Sequence, residues 1–419
     1  MRRRDLLRAA GVVGLSALST GQARAQDAAT KPKAIVGATW WRPGEAPLKD
    51  AVIVMVGDRI GYAGDDASQA TGADRIDADG KIVTAGLTDL LTQLGLVEVS
   101  LESGSRDDSH DAPDPVRAAF LAADGYDPAS TVIAIARQHG ITSAGIVPSG
   151  GLVPGQSAWI DLSGATPTEA IARRRLALHV SFDGGRDKYD ASSGASLLRL
   201  RELFDDARAL KNNPGGYDRR QVRELGASRL DLVAVGDALD GKLPVVFNVD
   251  RASDIVGVLA FAEEQGIRPV LASAAEGWKV ASKIANAKVP AIVQALDHGP
   301  RSFKARYARE DNAALLHEAG VTVALSATST HMTRKLRQIA GNAIRAGLPA
   351  SAAVDAVTRA PARIMGMDDH GELKKDHVAN VALWSGDPFE LSSRVERLFI
   401  RGREASLRSR QTALFERYR

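Results

Sequence analysis

Apolar and polar positions follow two rhythms along this chain. Residues 33–83 read as short strands joined by turns. Ala51-Val-Ile-Val-Met-Val56 is apolar throughout, Gly57-Asp58 turns the chain, and Arg59-Ile-Gly-Tyr-Ala63 returns. Arg75–Val83 adds another strand pair around Asp79-Gly80, a hairpin dipeptide. From Ile82 onward, apolar β-type runs alternate with longer segments of helical period. The strands predicted are Ile82–Leu87, Ile141–Val147, Leu176–Phe182, Pro244–Val249, Pro269–Ala272, Pro290–Gln294 and Val321–Ser326. Helices are predicted over Asp254–Gly266, Gly277–Ala287 and Asp311–Gly320. Strands apolar on both faces, separated by helices, predict an α/β parallel barrel covered by helices. His377–Leu383 and Arg397–Arg401 return to strands, so the two chain ends are expected to join in one small β domain. Residues 183–241 are polar and interrupted by Asp183-Gly-Gly-Arg186 and Asn212-Asn-Pro-Gly-Gly216, which predicts a loop-rich excursion.

Composition narrows the class. The 419 residues are 44% hydrophobic and 25% charged, an ordinary globular balance that excludes a disordered tail, a collagen-like repeat and a polytopic membrane protein. The absence of cysteine excludes disulfides, thiolate zinc sites, Fe–S clusters and a cysteine nucleophile. The formal charge of +3 is local in origin. Residues 1–25 hold five of the 54 basic side chains and one of the 51 acidic ones, leaving 49 against 50, a net of −1. No nucleic-acid partner is therefore expected.

That basic segment reads as an address. Met1-Arg-Arg-Arg-Asp-Leu-Leu-Arg8 precedes a weakly apolar run, Ala9–Leu18, and a small-x-small box, Ala23-Arg24-Ala25. Arg3-Arg4-x-Leu6-Leu7 resembles the twin-arginine export signal, and the run is too short to span a bilayer. The expectation is a periplasmic protein, exported by the twin-arginine route and with no membrane span after cleavage.

Longer stretches resemble a known family. Ala51-Val-Ile-Val-x-x-Gly-Asp-Arg-Ile60, Ile76-Asp-Ala-Asp-Gly-Lys-Ile-Val83 and Thr84-Ala-Gly-Leu-Thr-Asp89 resemble the opening of the amidohydrolase superfamily. Thr358-Arg-Ala-Pro-Ala-Arg-Ile-Met-Gly366 and Val378-Ala-Asn-Val-Ala-Leu-Trp-Ser-Gly-Asp-Pro-Phe389 resemble its closing helix and return strand. The flavour is that of the imidazolonepropionase-like branch. The resemblance implies a distorted (β/α)8 TIM barrel, the metal-dependent hydrolase fold, with a small β-sandwich built from both chain ends. The domains expected are a signal peptide over 1–25, sandwich strands over 26–83, a barrel over 84–365 and the rest of the sandwich over 366–419.

The resemblance breaks at the metal positions. The family's first barrel strand ends Pro-Gly-Leu-Ile-Asp-x-His-x-His, with two imidazoles on one face. Here the stretch is Ala85-Gly-Leu-Thr-Asp-Leu-Leu-Thr-Gln93, so Leu91 and Gln93 occupy the histidine positions. Leucine cannot ligate, and a neutral amide is a poor zinc ligand. Asn248 and Asp250 stand where the fifth strand's histidine belongs. Leu271–Gly277 has no histidine for the sixth strand, and Ala324–Thr330 has no acid for the eighth. That acid normally takes the proton from metal-bound water.

Other residues stand out by position. Asp89, Asp250 and Glu276 fall near carboxyl ends of barrel strands, where catalytic groups collect. The competing role for them is pairing with Arg251, Lys279 or backbone amides, which the sequence favours. Gln93, Asn248, Arg251 and Thr328 are the candidate binding residues. Asp254 or Ser253 is placed to cap the helix that follows. His139, His317 and His370 suit surface or capping roles, whereas His179, His298 and His331 could approach the barrel mouth. Ser149-Gly-Gly-Leu-Val-Pro-Gly155 is a loop placed to line it. Gly236-Asp-Ala-Leu-Asp-Gly-Lys242 mimics a phosphate loop but lacks the hydroxyl and the helix that should follow.

By resemblance the chain is a hydrolase of C–N (non-peptide) bonds. By its residues it is expected to be catalytically silent or repurposed as a periplasmic binding or partner subunit. The alternative is an active hydrolase with a non-standard carboxylate or mono-metal site. No cofactor is expected, and the carboxylates would suit at most a weakly held divalent cation. The partners expected are a small molecule in the barrel mouth and either a second copy of the chain or a catalytic amidohydrolase paralogue.

Overall fold

The computed structural model of the protein describes residues 31–419 apart from 111–113, 183–191, 220, 222, 297–298 and 301. The proposed signal segment, Asp183-Gly-Gly-Arg186 and His298 lie outside the described residues. Residues 31–419 form one compact unit.

Five strands come first: β1 (Lys33–Trp40), β2 (Leu48–Val56), β3 (Arg59–Gly64), β4 (Asp74–Asp77) and β5 (Ile82–Ala85). The middle of the chain supplies β6 (Leu87–Thr92), β7 (Ile141–Ile146), β8 (Gly155–Gln156), β9 (Ala158–Asp161) and β10 (Ile171–Arg173). It continues with β11 (Leu178–Ser181), β12 (Val245–Val249), β13 (Pro269–Ser273), β14 (Ala291–Val293) and β15 (Val323–Leu325). The last strands are β16 (Val381–Trp384), β17 (Val395–Ile400) and β18 (Arg403–Glu404).

Both chain ends meet in one sheet. β16 lies antiparallel between β5 and β17, and β1 pairs with β2 on one side and with β4 and β5 on the other. Side chains of β1 alternate as a pleat requires. Ile35 joins Ile53, Met55 and Phe399 in one cluster, while Ala34 and Val36 join Val52 and Val54 in another. The ladders draw a single eight-stranded sheet rather than the two facing sheets of the expected sandwich.

The strand predicted over Ile82–Leu87 is split between β5 and β6. A Cβ on Gly86 would come within 2.1 Å of Thr142 Oγ1, so only glycine lets β5 run into β6 at this crossing. The chain leaves the terminal sheet there and enters the central one.

The central strands form a mixed α/β core in two sheets. β6 and β7 are parallel and continue through antiparallel β9 and β10. β11 to β15 are all parallel, with β8 antiparallel on the edge. The hydrogen-bonded ladders therefore do not close the expected eight-stranded cylinder, because the short antiparallel strands stand between β7 and β11. Backbone bonds bridge that gap: Leu176 N–H donates to Ser157 O at 2.8 Å and Ser157 N–H to Ala177 O at 3.0 Å.

Alternation along the parallel strands sorts two environments. Val245, Phe247 and Val249 pack in the large cluster that also holds Ile255, Val258 and Phe261 of the helix Ala252–Gln265. Val246, Val270, Ala272, Ile292 and Ala324 pack together in a separate cluster with Leu91 and Trp159. One face of each strand thus meets helices, and the other faces a shared interior.

The excursion over 183–241 differs from the expectation. It carries a 20-residue helix, Ser193–Asn212, and a second, Arg229–Leu239. Leu200, Leu203, Phe204, Ala207 and Leu210 are buried at helical spacing, which outweighs the polar residues between them.

Candidate functional site

The interior strands open into a cavity of about 690 Å³ at their carboxyl ends. Leu91 and Gln93 come from β6 and its end, His179 and Ser181 from β11, Val246 and Asn248 from β12, and Ala272 and Ser273 from β13. Asp250 and Thr328 line it just beyond β12 and β15. The loop residues Ser149, Gly150 and Pro154 line its edge, together with Phe303 and Lys304. Register explains the gathering: His179 pairs with Val246, Ser181 with Asn248 and Asn248 with Ala272, so residues two apart share the interior face.

Backbone strain collects at the same rim. Ser273 (φ 69°), Ala274 (φ 46°) and Thr328 (φ 60°) sit in the left-handed region although none is glycine. Such conformations persist where surrounding contacts hold them, and they recur at ligand sites.

The candidate acids are held from within. Asp89 is fully buried beneath the cavity and is not one of its lining residues. Its Oδ1 accepts the Ser326 hydroxyl and, at 3.1 Å, the Ala327 N–H. Burial pushes its carboxyl above the ordinary range, against the hydrogen bonds from Ser326 and Ala327. Asp250 Oδ1 accepts Ser273 Oγ at 2.5 Å and Ala275 N–H at 3.1 Å. Glu276 accepts Lys279 Nζ at 3.2 Å, Ala252 N–H at 3.3 Å and Tyr307 N–H at 3.4 Å, and it lies outside the cavity lining.

Arg251 also lies outside the lining. It forks onto Asp254, with Nη2 at 2.6 Å from Oδ1 and Nε at 3.1 Å from Oδ2. The expected cap by Asp254 or Ser253 is therefore corrected: the helix Ala252–Gln265 has Arg251 at its N-cap with no side-chain cap, and Asp254 in the first turn is taken by the guanidinium.

The histidines divide differently from the sequence reading. His179 reaches the cavity, and its Nε2 is buried without a hydrogen-bond partner. Burial pulls its pKa down to about 3, so the ring is neutral. His370, expected at the surface or as a cap, is buried instead. It sits between Asp369, 2.7 Å from Nδ1, and Asp161, 3.5 Å from Nε2, with its ring edge-on to Trp159. Ser181, Phe303 and Lys304 were not foreseen. Ser181 was accessible by counting two residues from His179 along the strand. The single 3₁₀ turn Phe303–Ala305 is too short to carry a periodic signal.

No family model matches the chain. In sequence it is 22% identical over 405 residues to amidohydrolase tasK from Hapsidospora irregularis, covering 88% of this chain and 40% of that protein. The chain thus spans about two fifths of the length of that relative. Among solved structures, an amidohydrolase from Thermotoga maritima superposes with a TM-score of 0.81 at 24% identity, over 90% of this chain and all of that one. An adenosine deaminase from Xanthomonas campestris with bound zinc superposes with a TM-score of 0.53 at 14% identity, over 89% and 92% of the two chains. The fold is the one these solved amidohydrolase-type structures share, and the sequence is similar at a low level to one amidohydrolase.

The zinc in the Xanthomonas deaminase corrects the expectation that no cofactor goes with this chain: the fold is one that carries a metal. The donor set here does not fit zinc as the family holds it. Leu91, Gln93 and Asn248 stand at the strand positions in question, and among the described residues no group of three or more histidine, aspartate or glutamate side chains is arranged to hold a metal ion. No chemical step through a metal follows from these residues.

Proposed function

We propose that this chain is an exported amidohydrolase-fold protein whose mouth cavity binds a small molecule and whose C–N bond hydrolysis has been lost or repurposed. The observation that carries this reading is the contrast between acids and neutral groups. Each candidate acid is already engaged: Asp89 by Ser326 and Ala327, Asp250 by Ser273 and Ala275, and Glu276 by Lys279. A general base must be within hydrogen-bond reach of the proton it takes, and Asp89 and Glu276 are not at the cavity wall. What the cavity offers instead is a shaped, partly apolar volume of the size of ligand sites in general.

A distorted (β/α)8 barrel is part of the same reading. It is supported by the sorted faces of β11 to β15, and by the links that join the two central sheets at Ser157 and at Ser326. Periplasmic delivery is supported by Arg3-Arg4 and the Ala23-Arg24-Ala25 box. A second copy or a catalytic paralogue would dock from outside, leaving the cavity to the small molecule.

The test is a panel of lactams, hydantoins and acyl amides offered to the purified protein with and without added zinc. The expected result is thermal stabilisation by at least one compound and no turnover of any. Turnover abolished by chelation would replace this reading with that of an active hydrolase.

A further inference from the structure

Five of the neutral polar side chains that line the cavity are Gln93, His179, Ser181, Asn248 and Thr328. None of them is hydrogen-bonded to a protein side chain or backbone group through its own side chain among the described residues, and His179 Nε2 is buried in that state. A buried ring nitrogen without a partner destabilises the empty cavity, so a ligand that supplies one recovers that loss. Each of the five can both donate and accept: two primary amides, two hydroxyls and a neutral imidazole.

The charges at the cavity behave in the opposite way. Asp250 accepts from Ser273 and Ala275, and Lys304 Nζ donates to Phe182 O at 2.5 Å. A carboxylate or ammonium group entering here would lose its water and could pair closely with either charge only by competing with the hydrogen bonds that already hold it, and that loss of water is expensive. A hydroxyl, by contrast, matches every one of the five neutral groups, while Leu91 and Val246 offer an apolar wall to C–H surfaces.

Resting on the binding reading above, we propose that the cavity selects an uncharged, polyhydroxylated ring over its charged analogues. The ring's hydroxyls exchange hydrogen bonds with Gln93, His179 and Asn248, and its C–H face lies on the apolar wall. Selection arises from charges already held by hydrogen bonds within the protein rather than from shape.

The test is calorimetric titration of the purified protein with three probes built on one ring: methyl glucoside, glucuronate, and glucosamine below the pKa of its amine. The neutral glycoside is expected to bind at least tenfold more tightly than either charged analogue. Asn248→Leu and Gln93→Leu should each weaken it about tenfold while the melting curve stays cooperative. A charged analogue that binds as tightly as the glycoside overturns the proposal. If no glycoside binds but a lactam or hydantoin still stabilises the protein, the ligand class is wrong and the binding reading stands. If no compound of either kind binds, both fail.

Discussion

Ser326 donates its hydroxyl to Asp89 and accepts the Leu91 N–H at 3.0 Å, tying the end of β15 to β6 although these strands share no backbone ladder. One hydroxyl therefore satisfies two buried groups of a strand, the carboxylate lying 237 residues earlier in the chain. Removing it by Ser326→Ala leaves the Leu91 N–H without that acceptor and Asp89 with fewer donors. The expected loss is about 1–3 kcal/mol in chemical denaturation, the cost of a buried group stripped of its partner. An unchanged midpoint would show that water enters and replaces the hydroxyl.

Asp89 itself should set a pH trend. Its folded pKa lies above the unfolded one, so the folded state holds the proton more tightly. The stability this gives is full below the unfolded value and is lost as pH rises through the folded value. Asp89→Asn keeps an acceptor oxygen for Ser326 and carries no charge. It is expected to flatten the fall in stability on the alkaline side of the carboxyl range. Denaturation midpoints of wild type and variant, compared from acid to neutral pH, check this.

The His370 network gives a trend with two edges. Burial alone would lower the His370 pKa, but Asp161 and Asp369 together raise it. Burial would raise Asp161, yet His370 and Ser143 hold it below the ordinary range. The histidine contribution is present below about 6.5 and is lost as pH rises through the raised value. The aspartate contribution is present above the ordinary carboxyl value and is lost as pH falls through the lowered one. His370→Gln should therefore narrow the difference from wild type at alkaline pH and widen it near pH 5 to 6. A pH-independent difference would remove the charge from this account.

The terminal sheet makes truncation informative. Ending the chain at Gly366 removes β16 and β17, uncovering the β5 edge, and takes away Trp384, whose Nε1 donates to Thr84 Oγ1 at 2.9 Å. An uncovered apolar edge is a template for pairing with other chains. The truncated protein is expected to aggregate. A monodisperse product that unfolds cooperatively would show that the central sheets stand without the carboxyl-terminal strands.

Strands with clear periodicity were legible from sequence, and β12 is the plainest case. Val245, Phe247 and Val249 alternate with Val246 and Asn248, and the two sets meet helices and cavity as a pleat requires. The helix Ser193–Asn212 was not recognised because charged residues masked the spacing of Leu200, Leu203, Phe204, Ala207 and Leu210. β8 to β10 are two to four residues long, too short to show a period, and they change how the sheets connect. Leu91, Gln93, Asn248, Asp250 and Thr328 could be placed at one mouth from strand ends together with the family resemblance. That Asp89 is answered by Ser326 and Asp250 by Ser273 could not, since both depend on contacts distant in sequence.

Arg3 and Arg4 carry the export proposal. Lysine keeps the charge of each but lacks the planar guanidinium that permits forked recognition. Replacing both with lysine should hold the precursor in the cytoplasm, as read by fractionation. Efficient periplasmic delivery of the double variant would count against the twin-arginine route.

His179 ties the cavity to acid stability. Burial pulls its folded pKa down to about 3, whereas the unfolded ring titrates near the ordinary 6.5. Between these values the unfolded chain takes up a proton that the folded chain refuses. The contribution of the neutral ring is therefore full above 6.5 and is lost as pH falls toward 3. His179→Leu removes both the titration and the buried nitrogen that lacks a partner. Relative to wild type, the variant should lose less stability between pH 7 and pH 4, by on the order of 2 kcal/mol. The same variant should bind the neutral ring less tightly, because one of its five polar contacts is gone. Wild-type affinity should show no step near pH 6.5, since the folded ring does not titrate there. Calorimetric titration across that range and acid denaturation of the two proteins together decide it. A step near pH 6.5 in wild type, or equal acid sensitivity in the variant, would mean that water keeps His179 in its ordinary range.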